Sequence, residues 1–254
     1  MTLTVALTLL GTGVLAGISN AIAGGGTFFT FPAFLAAGIP PVIANASNAV
    51  AVWPGHALAV VGYRRELSRF RGSLAGSIAT ALTGGITGAL LLAKVGNATF
   101  AKLIPFLLLF ATLIFAFGGR IGASLRSQTA PDRTMHSNLF TRLVELLFAI
   151  YGGFFAAGLG VMLMAGLMMV GVTDIQANNA LKNLLGTVIS SVAVVVFIVS
   201  GLVSWPHALI AFAGAVVGGL LGTRLARRLA AHWLRGIVLV LGLVLSAYYF
   251  VQYY

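Results

Sequence analysis

Cysteine is absent from this chain, and acidic side chains are scarce, with four among 254 residues. The absence of cysteine excludes disulfides, thiolate metal sites and cysteine catalysis. Charged residues make up 7% of the chain, whereas soluble domains carry about 25%. This low charge content excludes a soluble enzyme. A separate soluble domain is excluded too, because the longest polar stretch runs only from Arg120 to Asn138.

Apolar residues supply 59% of the chain, and the mean hydropathy is +1.05. These values predict an all-α polytopic membrane protein in the cell (inner) membrane, with the lipid bilayer as its surroundings. In a soluble protein, a net charge of +11 would suggest that the protein binds nucleic acid. Here we expect the basic residues to lie in short loops that set orientation, with no nucleic-acid partner. The four histidines show no ligand spacing, so no metal and no cofactor is expected.

Apolar runs come in two sets of five, and the second run of each set is short. We predict a first repeat over 1–119, a cytoplasmic linker over 120–138 and a second repeat over 139–254. The first apolar run is expected to be a retained span, because no Lys or Arg precedes it as a signal peptide requires. The runs cover 3–22, 27–38, 42–62, 72–93, 98–118, 139–157, 160–171, 175–200, 206–223 and 234–252.

The short runs are too short to cross a bilayer as helices. A segment of about 12 residues reaches about 18 Å, while the hydrocarbon core is about 30 Å thick. Both short runs are interrupted by glycine, and the first also by proline. The halves align with Gly25 on Gly158, Gly38 on Gly171 and Asn45 on Asn178, although overall identity is low. Such recurring, interrupted segments are the best sequence indication of a transporter's binding site.

Arginine-rich segments follow the third run, fill the linker and precede the last run. If all three are cytoplasmic, each short segment must cross the membrane, giving five plus five crossings with both termini outside. An odd number of spans per half makes the two repeats inverted. Whether the short segments cross or re-enter the membrane is left open by the sequence alone.

Polar side chains recur around the short runs, and they form the predicted substrate site. Glycine-rich helix starts expose N–H groups and the positive end of a helix dipole, and amides and a lysine would complete an anion site. The alternatives are that asparagine joins helices, that the glycines only allow close packing, and that Lys182 reaches toward the membrane surface. The candidates are Asn20, Gly24, Gly25, Gly26, Thr27, Asn45, Ser47, Asn48, Gly158, Gly160, Gln176, Asn178, Asn179, Lys182 and Asn183.

Four motifs in order resemble the sulfite exporter TauE/SafE family of membrane permeases, also called the TSUP family. They are Asn20-Ala-Ile-Ala-Gly-Gly-Gly26, Ala44-Asn-Ala-Ser-Asn48, Gly62-Tyr-Arg-Arg-Glu-Leu67 and Asn179-Ala-Leu-Lys-Asn-Leu184. The resemblance covers essentially the whole chain and implies transport of sulfite, sulfonates or other organosulfur anions. The second half has only Gly158-Leu-Gly160 where many relatives carry a fuller glycine run, so the two half-sites need not be equivalent.

The sequence thus predicts a secondary carrier of small sulfur-containing anions such as sulfite, sulfonates or sulfoacetate, working by alternating access. A gated anion channel without coupling is the alternative. An enzyme is not expected, because no nucleophile–base set or ligand cluster is evident. The particular anion, the direction of transport, the coupling ion and the oligomeric state, a homo-oligomer included, stay open.

Overall fold

The computed structural model describes residues 1–22, 25–62, 64–128, 139–225 and 231–254. All regular structure within these ranges is helical, which confirms the predicted fold class. The α-helices are α1 (Leu3–Ile22), α2 (Thr27–Ala36), α3 (Pro41–Gly62), α4 (Arg64–Leu67), α5 (Arg71–Lys94), α6 (Asn97–Gln128), α7 (Leu139–Phe154), α8 (Leu159–Met169), α9 (Ile175–Val199), α10 (Trp205–Leu225) and α11 (Ala231–Tyr253), with a 3₁₀ turn at Ser68–Phe70.

The long helices follow the predicted apolar runs, with one clear difference at the linker. Helix α6 continues to Gln128, so the first part of the segment 120–138 is helical. The segment from Arg120 to Gln128 contains no proline, and about half of its residues are good helix formers. The remainder of that segment lies outside the described residues.

Six helices in the described ranges are long and apolar enough to span a bilayer, namely α1, α5, α6, α9, α10 and α11. The chain is therefore a multi-pass membrane protein. The short helices α2 and α8 contain 10 and 11 residues, which at about 1.5 Å per residue is roughly half of the hydrocarbon thickness. Each depends on its neighbours to bury the backbone at its ends.

Glycine lets two helix pairs approach until their backbones touch. In the pair α1–α10, a Cβ atom at Gly17 or Gly218 would collide with a carbonyl oxygen of the facing helix. In the pair α5–α7, the same collision would occur at Gly88 and Gly153. These two pairs make the most extensive helix contacts of the described structure. Small residues allow this approach between membrane helices, and each pair joins the two halves of the chain.

Helices α6 and α11, the fifth members of the two halves, run antiparallel. The rings of Phe106 and Phe250 lie 5.8 Å apart, and farther along α6 Thr112 contacts the earlier residue Gly242 of α11. Five crossings per half make matched helices antiparallel, whereas re-entrant short segments would leave four crossings and parallel matches. The packing thus supports inverted halves, which remain a prediction until the topology is measured.

An ion pair within α7 is linked to the beginning of α5 by hydrogen bonds from its arginine. Nη1 of Arg142 donates to Oε2 of Glu145 at 2.7 Å and to Oγ of Ser77 at 2.7 Å. Nη2 of the same guanidinium donates to the carbonyl oxygen of Ser73 at 3.2 Å. Glu145 is only 5% exposed, and its Oε1 has no partner in the described structure. The arginine is therefore the main compensation for a carboxylate held away from water.

Removing only one member of this pair should destabilise the protein more than removing both. We expect Arg142→Leu to cost roughly 3 kcal/mol, because it leaves a buried carboxylate uncompensated. The double variant Arg142→Leu/Glu145→Leu should recover most of that loss. Thermal unfolding in detergent measures both, and a double variant less stable than the single one would contradict the prediction.

Labelling at two exposed serines can distinguish the two possible membrane topologies. Ser68 precedes α5 and Ser200 follows α9, and both are exposed. With five crossings per half they lie on opposite sides of the membrane, and with re-entrant short segments they lie on the same side. We expect Ser200→Cys, but not Ser68→Cys, to be labelled by an impermeant thiol reagent from outside, because the arginines near Ser68 favour the cytoplasm.

The chain contains no native cysteine, so each label reports one position only. Membrane permeabilisation should make Ser68→Cys react, which controls for a thiol that is merely inaccessible. Equal labelling of both cysteines in intact cells would overturn the five-plus-five topology.

Candidate functional site

Both short helices begin and end at glycines with left-handed backbone. The φ angle is +84° at Gly25 and +73° at Gly158, just before α2 and α8. It is +79° at Gly38 and +98° at Gly171, where each short helix ends in the same pair of closing hydrogen bonds. Other residues rarely adopt this conformation. The glycines that align between the halves therefore build two equivalent short helices.

A network of polar groups surrounds the first turn of α2. The N–H of Gly26 donates to Oδ1 of Asn20 at 2.8 Å. The hydroxyl of Thr30 is hydrogen-bonded to the carbonyl oxygen of Gly26 at 3.3 Å and to Oδ1 of Asn48. Asn48 is fully buried, and its Nδ2 has no partner in the described structure. A buried donor without an acceptor is costly, so this amide is available to an anion.

The first turn of α8 offers a free backbone amide beside a lysine. In the described structure the N–H of Gly160 has no acceptor, whereas those of Leu159 and Val161 are bonded to carbonyl oxygens. A Cβ atom built on Gly160 would meet only Cδ of Lys182, at 3.9 Å. Nζ of Lys182 donates to Oδ1 of Asn179 at 3.0 Å. The helix start, the lysine and Asn179 thus lie together, whereas the predicted neighbour Asn178 bonds elsewhere.

The beginnings of both short helices pack on the same two turns of α6. A Cβ atom at Gly25 would lie 3.4 Å from the ring of Phe115, and one at Gly158 would lie 3.4 Å from Ala111. A Cβ atom at Gly118, one turn farther along α6, would lie 2.8 Å from Cγ1 of Val161 in α8. The tertiary structure therefore brings the two half-sites to one region, next to a stretch of α6 that sequence analysis did not single out.

Two predicted site residues of α3 already have partners in the protein. Nδ2 of Asn45 donates to the carbonyl oxygen of Phe154, the last residue of α7, at 3.0 Å. Oγ of Ser47 accepts a hydrogen bond from the backbone N–H of Ser204 at 2.9 Å. Both side chains are buried. In this conformation they join helices, which is the alternative considered for lone polar residues.

Asn178, the counterpart of Asn45, forms its hydrogen bonds within the second half of the chain. Its Nδ2 donates to the carbonyl oxygens of Met164 at 3.1 Å and Val172 at 3.0 Å, which fixes α9 to α8. Its Oδ1 is buried without a partner in the described residues. The aligned asparagines therefore occupy equivalent positions in the sequence and make different contacts in the structure.

The remaining predicted site residues are spread around these clusters. Thr27 is buried in the first turn of α2, and Asn183 is half-buried on α9. Gln176 is exposed near the start of α9. Gly24 lies outside the described residues.

Sequence analysis missed Thr30, although its hydroxyl links Gly26 to Asn48. The signal available was a second threonine three residues after Thr27, on the same face of a short apolar helix. Ser204 carried no comparable signal, because its backbone N–H rather than its side chain bonds to Ser47.

The candidate groups beside the two short-helix starts are hydrogen-bond donors and one positive charge. They comprise the N–H of Gly160, Nδ2 of Asn48 and Nζ of Lys182. Within the described ranges, no three His, Asp or Glu side chains come together in a way that could hold a metal ion. Donors at a helix start, combined with a cation, have the chemistry that binds a small anion.

A multi-pass helical protein with two interrupted, similarly built short helices belongs to the class of membrane transporters. The family model described as "Sulfite exporter TauE/SafE" matches residues 9–249. The chain therefore belongs to the sulfite exporter TauE/SafE family, and it is a membrane transporter of that family.

Relatives from three bacteria cover most of the chain. A probable membrane transporter protein of Haemophilus influenzae is 26% identical over 236 residues, covering 92% of this chain and 90% of the relative. The probable membrane transporter protein YfcA of Escherichia coli K12 is 26% identical over 234 residues, covering 92% and 85%. The probable membrane transporter protein ORF9 of a Sinorhizobium species is 28% identical over 240 residues, covering 91% and 87%. No solved structure gives a significant match.

Two glycine-to-alanine changes separate packing from ligand access. A Cβ atom at Gly26 would lie 2.6 Å from the carbonyl oxygen of Ala16 and 2.7 Å from Nδ2 of Asn20, so Gly26→Ala should lower the thermal unfolding temperature. Gly160→Ala has room, because its nearest neighbour is Lys182 Cδ at 3.9 Å, and it should leave that temperature unchanged. Thermal unfolding of both purified variants measures the contrast. A loss of stability in Gly160→Ala equal to that in Gly26→Ala would contradict the open space beside α8.

Proposed function

We propose that this protein is a secondary carrier that moves a small sulfur-containing anion, such as sulfite, a sulfonate or sulfoacetate, across the bacterial inner membrane by alternating access. The observation that carries the proposal is the free N–H of Gly160 at the start of α8, next to Lys182. The family's description as a sulfite exporter supports the substrate class.

The proposed anion lies between the starts of α2 and α8. The first turn of a helix concentrates N–H groups and the positive end of the helix dipole. On the α8 side, Gly160 lets an oxyanion approach the backbone, and Lys182 exchanges its bond to Asn179 for one to the anion. On the α2 side, Nδ2 of Asn48 supplies a buried donor with no competing acceptor. Each donor binds an oxygen of the anion, so no covalent or catalytic step is involved.

A tetrahedral or pyramidal oxyanion of sulfur suits such a site because its charge is spread over several oxygens. The surrounding helices exclude water, and a charge close to an anion acts more strongly there than in bulk water. The electrostatic gain offsets the desolvation of the ligand, which a site without Lys182 could not provide to the same extent.

Replacing the lysine tests the proposal directly. We expect Lys182→Gln to weaken sulfite binding by about 1–3 kcal/mol, or roughly 5–150-fold in Kd, since it removes a charged hydrogen bond. Lys182→Arg should restore only part of the affinity, because a planar guanidinium places its donors differently. Isothermal titration calorimetry of the purified variants measures both effects.

Lys102→Gln is the matched control, because Lys102 is an exposed lysine near the start of α6. It should bind sulfite as the parent protein does. An unchanged affinity in Lys182→Gln would remove the lysine from the site. Flux that follows the anion gradient without acceleration by anion on the opposite side would favour a channel over a carrier.

A further inference from the structure

The tightest packing in the molecule joins helices from opposite halves of the sequence. Backbone-to-backbone contact occurs between α1 and α10 at Gly17 and Gly218, and between α5 and α7 at Gly88 and Gly153. Interfaces packed this closely do not deform continuously, so helices joined this way move together. The two sequence halves therefore cannot rock against each other as units.

Each tight pair is attached to the other helices of one half. Helix α10 is bonded to α3, because the N–H of Ser204 donates to Oγ of Ser47 at 2.9 Å. Helix α5 packs on α9, where a Cβ atom at Gly85 would lie 3.2 Å from the backbone of Ile189. Helix α10 thus belongs with the first half, and α5 belongs with the second.

The contacts define two four-helix bodies that exchange a helix. The first body contains α1, α2, α3 and α10, and the second body contains α7, α8, α9 and α5. The two bodies are equivalent when the halves are matched in order, with α1 matching α7, α3 matching α9 and α5 matching α10. The contact of α1 with α10 then corresponds to that of α7 with α5, and the contact of α3 with α10 to that of α9 with α5. Helices α6 and α11 pack on each other and lie beside the two bodies.

The seam, defined as the contact of α3 with α9 and with the end of α7, joins the two bodies. Nε1 of Trp53 donates to Oγ of Ser191 at 2.9 Å, and Nδ2 of Asn45 donates to the carbonyl oxygen of Phe154 at 3.0 Å. Single side-chain hydrogen bonds have a small net worth and can be exchanged for others. At these two points the bodies are joined by side chains rather than by touching glycine backbones, so the seam is the boundary at which we infer that they part.

We propose that transport proceeds by movement of these two exchanged bodies against each other along the seam, rather than by movement of the two sequence halves. The inference rests on the proposed carrier function. The proposed anion ligands fall on both sides of the moving boundary, with Asn48 in the first body and Gly160 and Lys182 in the second. Opening the seam on either side would expose a site of this kind to either side of the membrane.

Cross-linking tests the proposal, because the chain has no native cysteine. The within-body pair is Ala21→Cys with Gly219→Cys, between α1 and α10. Gly219 lies one turn before Gly222, whose Cβ atom would contact Ala21, and a Cβ atom at Gly219 itself meets no neighbour within 4 Å in the described structure. The seam pair is Trp53→Cys with Ser191→Cys. Both pairs are bridged with the same short bifunctional thiol reagent that a reductant cleaves. Sulfite flux into proteoliposomes is compared before bridging, after bridging and after reduction.

Bridging the seam pair should reduce flux by about tenfold or more, and reduction should restore it, because the bodies can no longer separate. Bridging the within-body pair should leave flux near that of the unbridged variant. A block of flux by the within-body bridge would overturn the proposal, since movement of the sequence halves requires α1 and α10 to separate. Unchanged flux across a bridged seam would overturn it equally.

Spin-label distances on the same cysteine pairs make the inference testable whichever anion is carried. The within-body pair should show one narrow distance. The seam pair should show a second, longer distance, most clearly with Asn45→Ala, which removes one bond of the seam. Equally narrow distances for both pairs would contradict the moving bodies, whereas absence of sulfite flux together with a mobile seam would count only against the proposed substrate.

Discussion

Backbone groups that cannot reach water must be satisfied within the protein, and this constraint governs the whole structure. Helices α2 and α8 stop well short of the bilayer thickness, so their ends lie at a depth where lipid offers no hydrogen bonds. Left-handed glycines close those ends, and the side chain of Asn20 binds one amide at the start of α2. The amide of Gly160 is left without an acceptor in the described structure, and it is where we propose that the anion binds.

Close packing of neighbouring helices stabilises the short helices α2 and α8. Fully buried aromatic side chains of α2, among them Phe28, Phe31 and Phe34, fill the space around that short helix. Glycines in α1, α5, α7 and α10 let the outer helices approach until backbones touch. Tightly packed helices therefore surround the short ones, and the proposed carrier mechanism depends on this support.

The two halves are alike in construction and unlike in detail. Asn45 binds the end of α7, whereas its counterpart Asn178 binds α8 and the segment after it. Helix α8 packs extensively on α6, while the corresponding contact of α2 with α11 is smaller. In the proposed alternating access, the two halves would exchange these two sets of contacts.

Composition and periodicity were enough to establish the helical membrane fold, the two sets of five segments and the glycine-bounded short helices. These features follow from local physics, since apolar length and glycine placement act within one segment. The same reasoning made Gly160 a candidate from its place at the start of a short apolar run, and Asn179 and Lys182 candidates from the polar stripes at i, i+4 on one helix. Only the tertiary structure decided that α6 packs beside both short-helix starts, that Asn45 and Ser47 join helices, and that α1 packs on α10 and α5 on α7. Those outcomes depend on which distant backbones meet, and the spacing of residues within one segment carries no information about that.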